Sequence, residues 1–142
     1  MKIQTVVRNQ AVKLHYGHHQ RQVVQTRWIY STDDQFAITV RFRVPGDWVE
    51  WRFARDLLAE GIVGEAGIGD VRVRFTEDDE LLLELCSPNG VAVFDLDVKA
   101  ANQFLEATCD LVPLDEETED LSVLDELLSP SAPGPDSAPP AP

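Results

Sequence analysis

Three histidines near the start of the chain carry imidazole nitrogens, which are common metal ligands. They are His15, His18 and His19, and they lie in a polar segment. Protein zinc sites usually combine histidine with thiolates or carboxylates at short spacing, and this segment contains neither. Cys86 and Cys109 also lack the spacing of a metal site and fit a reducing compartment, in which we expect them to be small buried residues. The sequence therefore favours an exposed loop at the histidines over a metal centre.

Clustered carboxylates are a second possible source of chemistry, because two of them can act as general acid and base. Such clusters occur at residues 33–34 and 77–80, where the residue types predict turns. Solvated turn carboxylates are the simpler interpretation. The sequence also has no serine in a glycine-flanked elbow and no cysteine–histidine pair that suggests a nucleophile. We therefore expect a protein that is not an enzyme and that needs no cofactor or metal.

Five arginines are predicted to share the solvent side of their strands, because they alternate with apolar residues. They are Arg41, Arg43, Arg52, Arg72 and Arg74. One interpretation is that these are ordinary solvated positions that pair with Glu50, Glu84 or Asp95 across the sheet. The other is a basic sheet face that binds an acidic partner or the chain's own acidic end.

Large aromatic residues concentrate in the first half of the chain. They are Trp28, Tyr30, Trp48 and Trp51. We expect most of them in the core, and Trp51 has the phase of a core residue. Trp48 lies at a predicted turn, which makes it a candidate for an oligomer or partner contact.

Composition limits the class of protein. The 142 residues are 44% hydrophobic and 26% charged, which is ordinary globular usage and suits one domain. No apolar stretch approaches the roughly 20 residues that cross a bilayer, and the first residues lack the apolar core of a signal peptide. We therefore expect a cytoplasmic protein without a transmembrane segment.

The negative charge is concentrated at the end of the chain. The net charge is −13, and residues 1–112 contain all twelve basic groups with seventeen acidic ones. The last thirty residues contain eight acidic groups and no basic group. Nucleic-acid binding depends on Lys and Arg that neutralise phosphates. This balance argues against nucleic acid as a partner, although it leaves room for a local basic face.

Strands dominate the first half of the chain. Residues 35–44 alternate apolar and polar side chains, which predicts a half-buried strand. Turn residues on both sides link it to strands at 27–30 and 49–53. A helix is predicted over 54–60, with Gly61 as its end. A further N-terminal strand is expected in residues 3–8 or 11–14.

The second half repeats this plan. Strands are predicted at 71–75, 81–86 and 91–98, followed by a helix that Asp97 can cap. The inward residues of this helix are Ala101, Phe104 and Leu105. The predicted fold class is α+β, with antiparallel sheets, packed helices and two sheet-then-helix halves.

Three glycines lie between the two halves. Gly64, Gly67 and Gly69 follow a helix and precede a strand. A phosphate-binding loop has the opposite order, since it places the phosphate at the start of a helix. We therefore interpret the glycines as a flexible connection.

The end of the chain divides into two segments after a domain at 1–112. Residues 113–128 are acidic, and their leucines have the spacing of a short amphipathic helix that docks on its own domain, a neighbouring subunit or a partner. Residues 129–142 contain six prolines and no large apolar residue. Such a tail cannot bury enough surface to offset the cost of ordering, which predicts disorder.

Two runs of sequence resemble a known family. Residues 48–61 (WVEWRFARDLLAEG) and 67–74 (GIGDVRVR) are similar to the signature region of the SsgA-like proteins, a sporulation and cell-division family of mycelial actinobacteria. A looser resemblance extends from Arg27 to the segment at 123–128. It implies a small, non-catalytic protein that positions or supports septa, as SsgB does when it recruits the tubulin-like ring protein FtsZ together with SsgA. It also implies a trimer with a fold similar to the whirly-type single-strand nucleic-acid binders.

The resemblance leads to a functional hypothesis. We expect a cytoplasmic, homotrimeric septation factor at the division septum, with FtsZ and an SsgA-like protein as partners. The candidate protein-binding residues lie in the matching run and are Trp48, Glu50, Arg52, Arg55 and Asp56. The alternative is a whirly-like binder of single-stranded nucleic acid that uses the arginines and Trp28 or Trp48 for stacking. An uncharacterised enzyme is the third hypothesis.

Overall fold

The computed structural model describes residues 2–118 as eight strands and two helices. The first four strands are β1 (Thr5–Tyr16), β2 (Gln20–Ser31), β3 (Asp34–Val44) and β4 (Asp47–Ala54), and helix α1 (Arg55–Ile62) follows them. The remaining elements are β5 (Glu65–Ile68), β6 (Val71–Phe75), β7 (Leu81–Ser87), β8 (Gly90–Leu96) and helix α2 (Val98–Leu111).

All eight strands belong to one antiparallel sheet with the order β4-β3-β2-β1-β8-β7-β6-β5. The sheet is strongly curved. Phe42 on β3 and Phe94 on β8 have ring centroids 4.8 Å apart, although β2 and β1 lie between their strands. Helix α1 contacts β3, β5 and β6, and α2 contacts β1 and α1. The core therefore lies on the concave side, between the curved sheet and the two helices.

The α+β class with an antiparallel sheet and packed helices is confirmed. The alternation in β3 buries Ile38, Val40 and Phe42 and leaves Arg43 exposed, as a period of two requires. Leu57 and Leu58 are buried on the inner side of α1. All eight strands share one sheet, where more than one sheet was predicted. The two sheet-then-helix halves and the likeness to whirly-type barrels stay predictions.

Two predictions about glycines are wrong. Gly61 does not end α1, because the helix continues to Ile62. A Cβ at Gly61 would lie 2.8 Å from the carbonyl oxygen of Val73, so the glycine permits close packing of α1 on β6. The segment with Gly64, Gly67 and Gly69 is not merely a connection, since it contains strand β5, which pairs with β6.

The ends of several elements also differ from prediction. The two proposed N-terminal strands are one strand, β1, which pairs with β2 over its full length. Strand β8 ends at Leu96, and Val98 is the first residue of α2. Asp97 occupies the N-cap position of α2, but its side chain makes no capping hydrogen bond. Leu105 is half-buried and packs against the core.

Only the first part of the predicted acidic segment 113–128 can be described. Residues 113–118 contain a turn, in which the Glu116 amide donates to the Pro113 carbonyl at 3.1 Å, and no helix. Residues 119–128 and the proline-rich tail at 129–142 lie outside the described residues, so the predictions made for them stay predictions.

Candidate functional site

Trp48 is surrounded by arginines on the convex face of the sheet. The guanidinium carbons of Arg27, Arg43 and Arg41 lie 5.1, 5.3 and 6.0 Å from the centroid of its ring. These distances are within the range of cation–π attraction. The strand register explains the arrangement, because Trp48 lies opposite Arg43 and Arg41 lies opposite Arg27. We call these four residues the Trp48–arginine cluster.

The other predicted surface residues on β4 are exposed, as their position on the convex face requires. Glu50 lies opposite Arg41, with its Oε1 3.6 Å from the arginine Nε. Arg52 forms an exposed ion pair with Asp34. Asp56, in the first turn of α1, is exposed as well.

Arg72 and Arg74 lie on β6, and four strands lie between β6 and β3 in the sheet order. The Nε of Arg74 is 2.7 Å from Glu84, and the Nε of Arg72 is 3.5 Å from Glu65. The predicted basic face is therefore two separate groups of arginines. For Arg41 and Arg74, the structure agrees with the interpretation of cross-strand pairing with Glu50 and Glu84.

Arg55 does not belong to an exposed surface. Its side chain is 0% exposed, because it extends from the start of α1 into the interior. It donates hydrogen bonds to the Val112 carbonyl at 2.6 Å, the Pro113 carbonyl at 3.3 Å and the Glu117 carboxylate at 2.6 Å. Its guanidinium also lies 4.8 Å from the ring centroid of Tyr30. Arg55 therefore ties the segment after α2 to the rest of the domain and cannot contact a partner.

Burial around Arg55 shifts two ionisable groups. Desolvation raises the pKa of Glu117, but the hydrogen bond and charge of Arg55, with backbone hydrogen bonds at Glu117 and Asp115, more than offset it. The net pKa of Glu117 is therefore below its ordinary value, and its carboxylate stays charged beside Arg55. Desolvation raises the pKa of Tyr30, and its hydroxyl donates to the Gln35 carbonyl at 2.9 Å.

Trp28 is a core residue and cannot stack on a nucleic acid. It is 1% exposed and packs edge-on against Phe53 and Phe104, with ring centroids 6.3 and 5.8 Å apart. Its indole nitrogen donates to the Thr26 hydroxyl at 2.8 Å, which satisfies the buried donor. Trp51 faces the core and is half-buried.

The histidines do not form a metal centre in the structure. His15 lies on β1, and its Nε2 is 2.6 Å from Asp95, which also accepts from Arg21. His18 and His19 lie in the turn between β1 and β2. Within residues 2–118 no group of three or more His, Cys, Asp or Glu side chains could hold a metal ion. Cys86 and Cys109 are half-buried rather than fully buried.

Sequence reasoning missed Arg27. The residue precedes Trp28 at the start of the predicted strand 27–30, and it was not placed on the basic face. Its position in the strand could have identified it, because successive side chains point to opposite faces of the sheet. Arg27 is next to the buried Trp28 and therefore faces outward like Arg41. Its proximity to Trp48 depends on the pairing of three strands, which local sequence does not show.

Comparison with known proteins shows the family. The SsgA family model, described as "Streptomyces sporulation and cell division protein, SsgA", matches residues 24–117. The chain is similar to the sporulation-specific cell division protein SsgB of Saccharopolyspora erythraea, at 45% identity over 92 residues, which are 63% of this chain and 65% of that protein. It is 40% identical over 88 residues to SsgB of Streptomyces coelicolor, which are 59% of this chain and 64% of that protein. The matched parts thus span less than two thirds of either relative.

Solved structures agree with this comparison. A structure described as "Mutations in SsgB correlate to longitudinal cell division during sporulation of Streptomyces coelicolor" has a TM-score of 0.76 at 33% identity and covers 81% of this chain and 94% of that chain. The structure of an SsgA-like sporulation-specific cell division protein from Thermobifida fusca has a TM-score of 0.74 at 36% identity. The match covers 80% of this chain and 86% of that chain.

Neither of the helices in the described part of the chain is long and apolar enough to span a membrane.

The family match covers more than half of the 142 residues and includes the Trp48–arginine cluster and the Arg55 contacts up to Glu117. This chain therefore belongs to the SsgA family of sporulation and cell division proteins.

Proposed function

We propose that this protein is a non-catalytic septation factor, which helps to position or stabilise the FtsZ ring by protein–protein binding. The observation that carries the proposal is family membership, since the relatives are sporulation-specific cell division proteins. The proposal places the protein in the cytoplasm at the division septum, with FtsZ and an SsgA-like protein as partners.

The proposed binding surface is the outer face of β4 with the start of α1. Trp48, Glu50 and Arg52 occupy alternate positions of β4 and therefore face the same side. Asp56 is exposed in the next element. Tryptophan and arginine are among the residue types that most often contribute strongly at protein interfaces. β4 also forms one edge of the sheet, so no further strand covers it within the described part of the chain.

Binding to a polymer would gain from several copies of this surface. In the proposed homotrimer, each subunit contributes one weak site, and binding of the first site raises the effective concentration of the others. A filament of FtsZ presents many identical sites, so avidity replaces high affinity at a single site. This mechanism requires no catalytic chemistry.

Co-pelleting with FtsZ filaments tests the proposal. Light scattering first gives the subunit number of the purified protein, and a single-stranded oligonucleotide serves as competitor during pelleting. We expect co-pelleting that the oligonucleotide does not displace. Trp48→Ala and Arg52→Glu should weaken it by about tenfold or more, as expected for residues that contribute strongly to an interface.

Arg72→Glu is the matched control, because it reverses an exposed, ion-paired arginine on the distant strand β6. It should leave co-pelleting unchanged. A chain that stays in the supernatant while FtsZ pellets contradicts the proposal. If the chain instead binds the oligonucleotide, the nucleic-acid hypothesis takes its place. Loss of binding in Arg72→Glu alone would move the surface to β6.

A further inference from the structure

The Trp48–arginine cluster concentrates positive charge in an acidic chain. Three guanidinium groups lie within 6.0 Å of one indole ring, whereas the whole chain has a net charge of −13. Arg27 and Arg41 lie directly opposite each other on neighbouring strands. Like charges in this position destabilise a sheet, so the arrangement has a cost to folding that a bound anion would relieve.

The charges of the cluster are incompletely matched within residues 2–118. Arg27 donates to the neutral Asn9 side chain at 3.2 Å. Arg43 has no ion-pair partner among the described residues. The Nε of Arg41 is buried and makes no hydrogen bond there, since Glu50 at 3.6 Å is too distant for one. An added carboxylate cannot reach this buried nitrogen, so the donors available to it are the terminal N–H groups of the three arginines.

The carboxylates already nearby do not neutralise the cluster. Among the described residues, Glu50 is the one carboxylate that forms an ion pair with the cluster, but its side chain is 60% exposed and lies opposite Arg41 alone. Asp47 accepts a hydrogen bond from the backbone amide of Trp48 at 2.7 Å. Two carboxylates thus accompany three guanidinium groups, and the local charge is positive.

We propose that the Trp48–arginine cluster binds an extended, carboxylate-rich peptide segment of a partner protein. Guanidinium groups bind carboxylates through their N–H edges while their flat faces stay on an aromatic ring. Alternate residues of an extended peptide lie about 6.8 Å apart, which is the spacing of Arg41 and Arg43 along β3. Two carboxylates at alternate positions can therefore meet two arginines. The inference rests on the proposed protein-binding function and names the chemistry of the partner.

A single-stranded nucleic acid fits this surface less well. Base stacking needs an open aromatic face, and the ring of Trp48 already has three guanidinium groups around it. Trp28, the other candidate for stacking, is buried. A long polyphosphate would also be repelled by the net charge of −13. A short acidic peptide segment carries fewer charges and needs only the local positive surface.

Fluorescence anisotropy with a labelled peptide tests the inference on the full-length chain. The probe is a peptide of about ten residues in which glutamate and serine alternate, so that the carboxylates share one side of an extended strand. A peptide with glutamine in place of glutamate is the charge control. We expect binding of the glutamate peptide alone, and weaker binding as salt rises from about 50 to about 300 mM, because salt screens exposed charges.

Variants locate the binding to the cluster. Arg27→Gln with Arg43→Gln should weaken peptide binding by about tenfold or more, and Arg72→Gln on β6 should leave it unchanged. Circular dichroism checks the fold, and the single variant Arg43→Gln replaces the double variant if that one does not fold. Unchanged binding in a folded cluster variant overturns the inference, and so does the absence of binding by the native chain.

Two further probes identify the source of the acidic group. An oligothymidylate that binds more tightly than the peptide through the same arginines would overturn the assignment in favour of nucleic acid. A peptide of residues 115–128 that binds more tightly than the probe would assign the surface to the acidic end of this chain and overturn the partner-protein assignment.

The proposed function and this inference fail separately. If the glutamate peptide binds through the cluster but the chain does not pellet with FtsZ filaments, only the FtsZ proposal fails. If the chain co-pellets with FtsZ but does not bind the peptide, only the acidic-peptide inference fails.

Discussion

Arg55→Met tests whether one buried ion pair holds the end of the domain in place. Methionine keeps an unbranched, flexible side chain, which is shorter than that of arginine and has neither charge nor donors. In the native chain the guanidinium is 0% exposed and donates to Glu117 at 2.6 Å. It also donates to the Val112 and Pro113 carbonyls at 2.6 and 3.3 Å. The substitution removes all of these bonds together.

The expected loss of stability comes from the Glu117 carboxylate, which loses its ion-pair partner. The Glu117 side chain is 5% exposed, so Arg55→Met leaves a buried carboxylate without its partner. Removing one partner of a buried pair costs about 3–5 kcal/mol. Glu117 lies in a segment without regular secondary structure and can turn towards water. We therefore expect the lower end of that range, about 3 kcal/mol.

Urea unfolding followed by far-ultraviolet circular dichroism measures this loss. If the free energy of unfolding falls by about 1.5 kcal/mol per molar urea, a loss of about 3 kcal/mol in stability lowers the midpoint of unfolding by about 2 M urea. Arg52→Met is the matched control, because it breaks an ion pair whose side chains are 61% and 36% exposed. Such exposed pairs contribute about 0–1 kcal/mol. If both variants shift the midpoint by the same small amount, the buried pair does not hold the segment and the reasoning is refuted.

Two further predictions concern Glu117 and Gly61. The pKa of Glu117 is lower in the folded chain than its ordinary value of 4.5. The stability that the charged Glu117 adds to the fold is therefore fully present above pH 4.5 and is lost as the pH falls through the folded pKa. The difference in unfolding free energy between the native chain and Glu117→Gln should therefore shrink below pH 4.5, and a difference independent of pH would contradict this. Gly61→Ala places a Cβ 2.8 Å from the Val73 carbonyl oxygen, so thermal unfolding should show a loss of about 1–3 kcal/mol instead of the usual gain of about 1 kcal/mol in a helix. Gly64→Ala, whose Cβ meets only an oxygen at 3.9 Å, is the control, and a gain at Gly61 would rule out the tight contact.

Local patterns predicted much of the secondary structure. The alternation around Ile38 and Val40 identified β3, since a period of two appears within a few residues. Turn residues around Gly46 correctly separated β3 from β4. Strand β5 was missed, because four residues with a glycine among them carry little strand signal and its partner β6 supplies the pairing.

The candidate site was predicted only in part. Glu50, Arg52 and Asp56 are exposed and Trp48 is half-exposed, as the outer phase of β4 and the first turn of α1 allow. Arg55 was predicted on the same surface because it lies in the same matching run of sequence. Its burial depends on acceptors at Val112 and beyond, more than fifty positions away, and no local pattern reports such contacts.

The sequence by itself determined the class of fold, the position of β3 and the resemblance to a cell-division family. These properties depend on periodicity, turn chemistry and motif, each of which is contained in short runs of residues. The tertiary structure decided which arginines meet Trp48 and which one is buried. Strand register brings Arg27 to Trp48 and chain folding brings Glu117 to Arg55, because both contacts join residues that are distant in the chain.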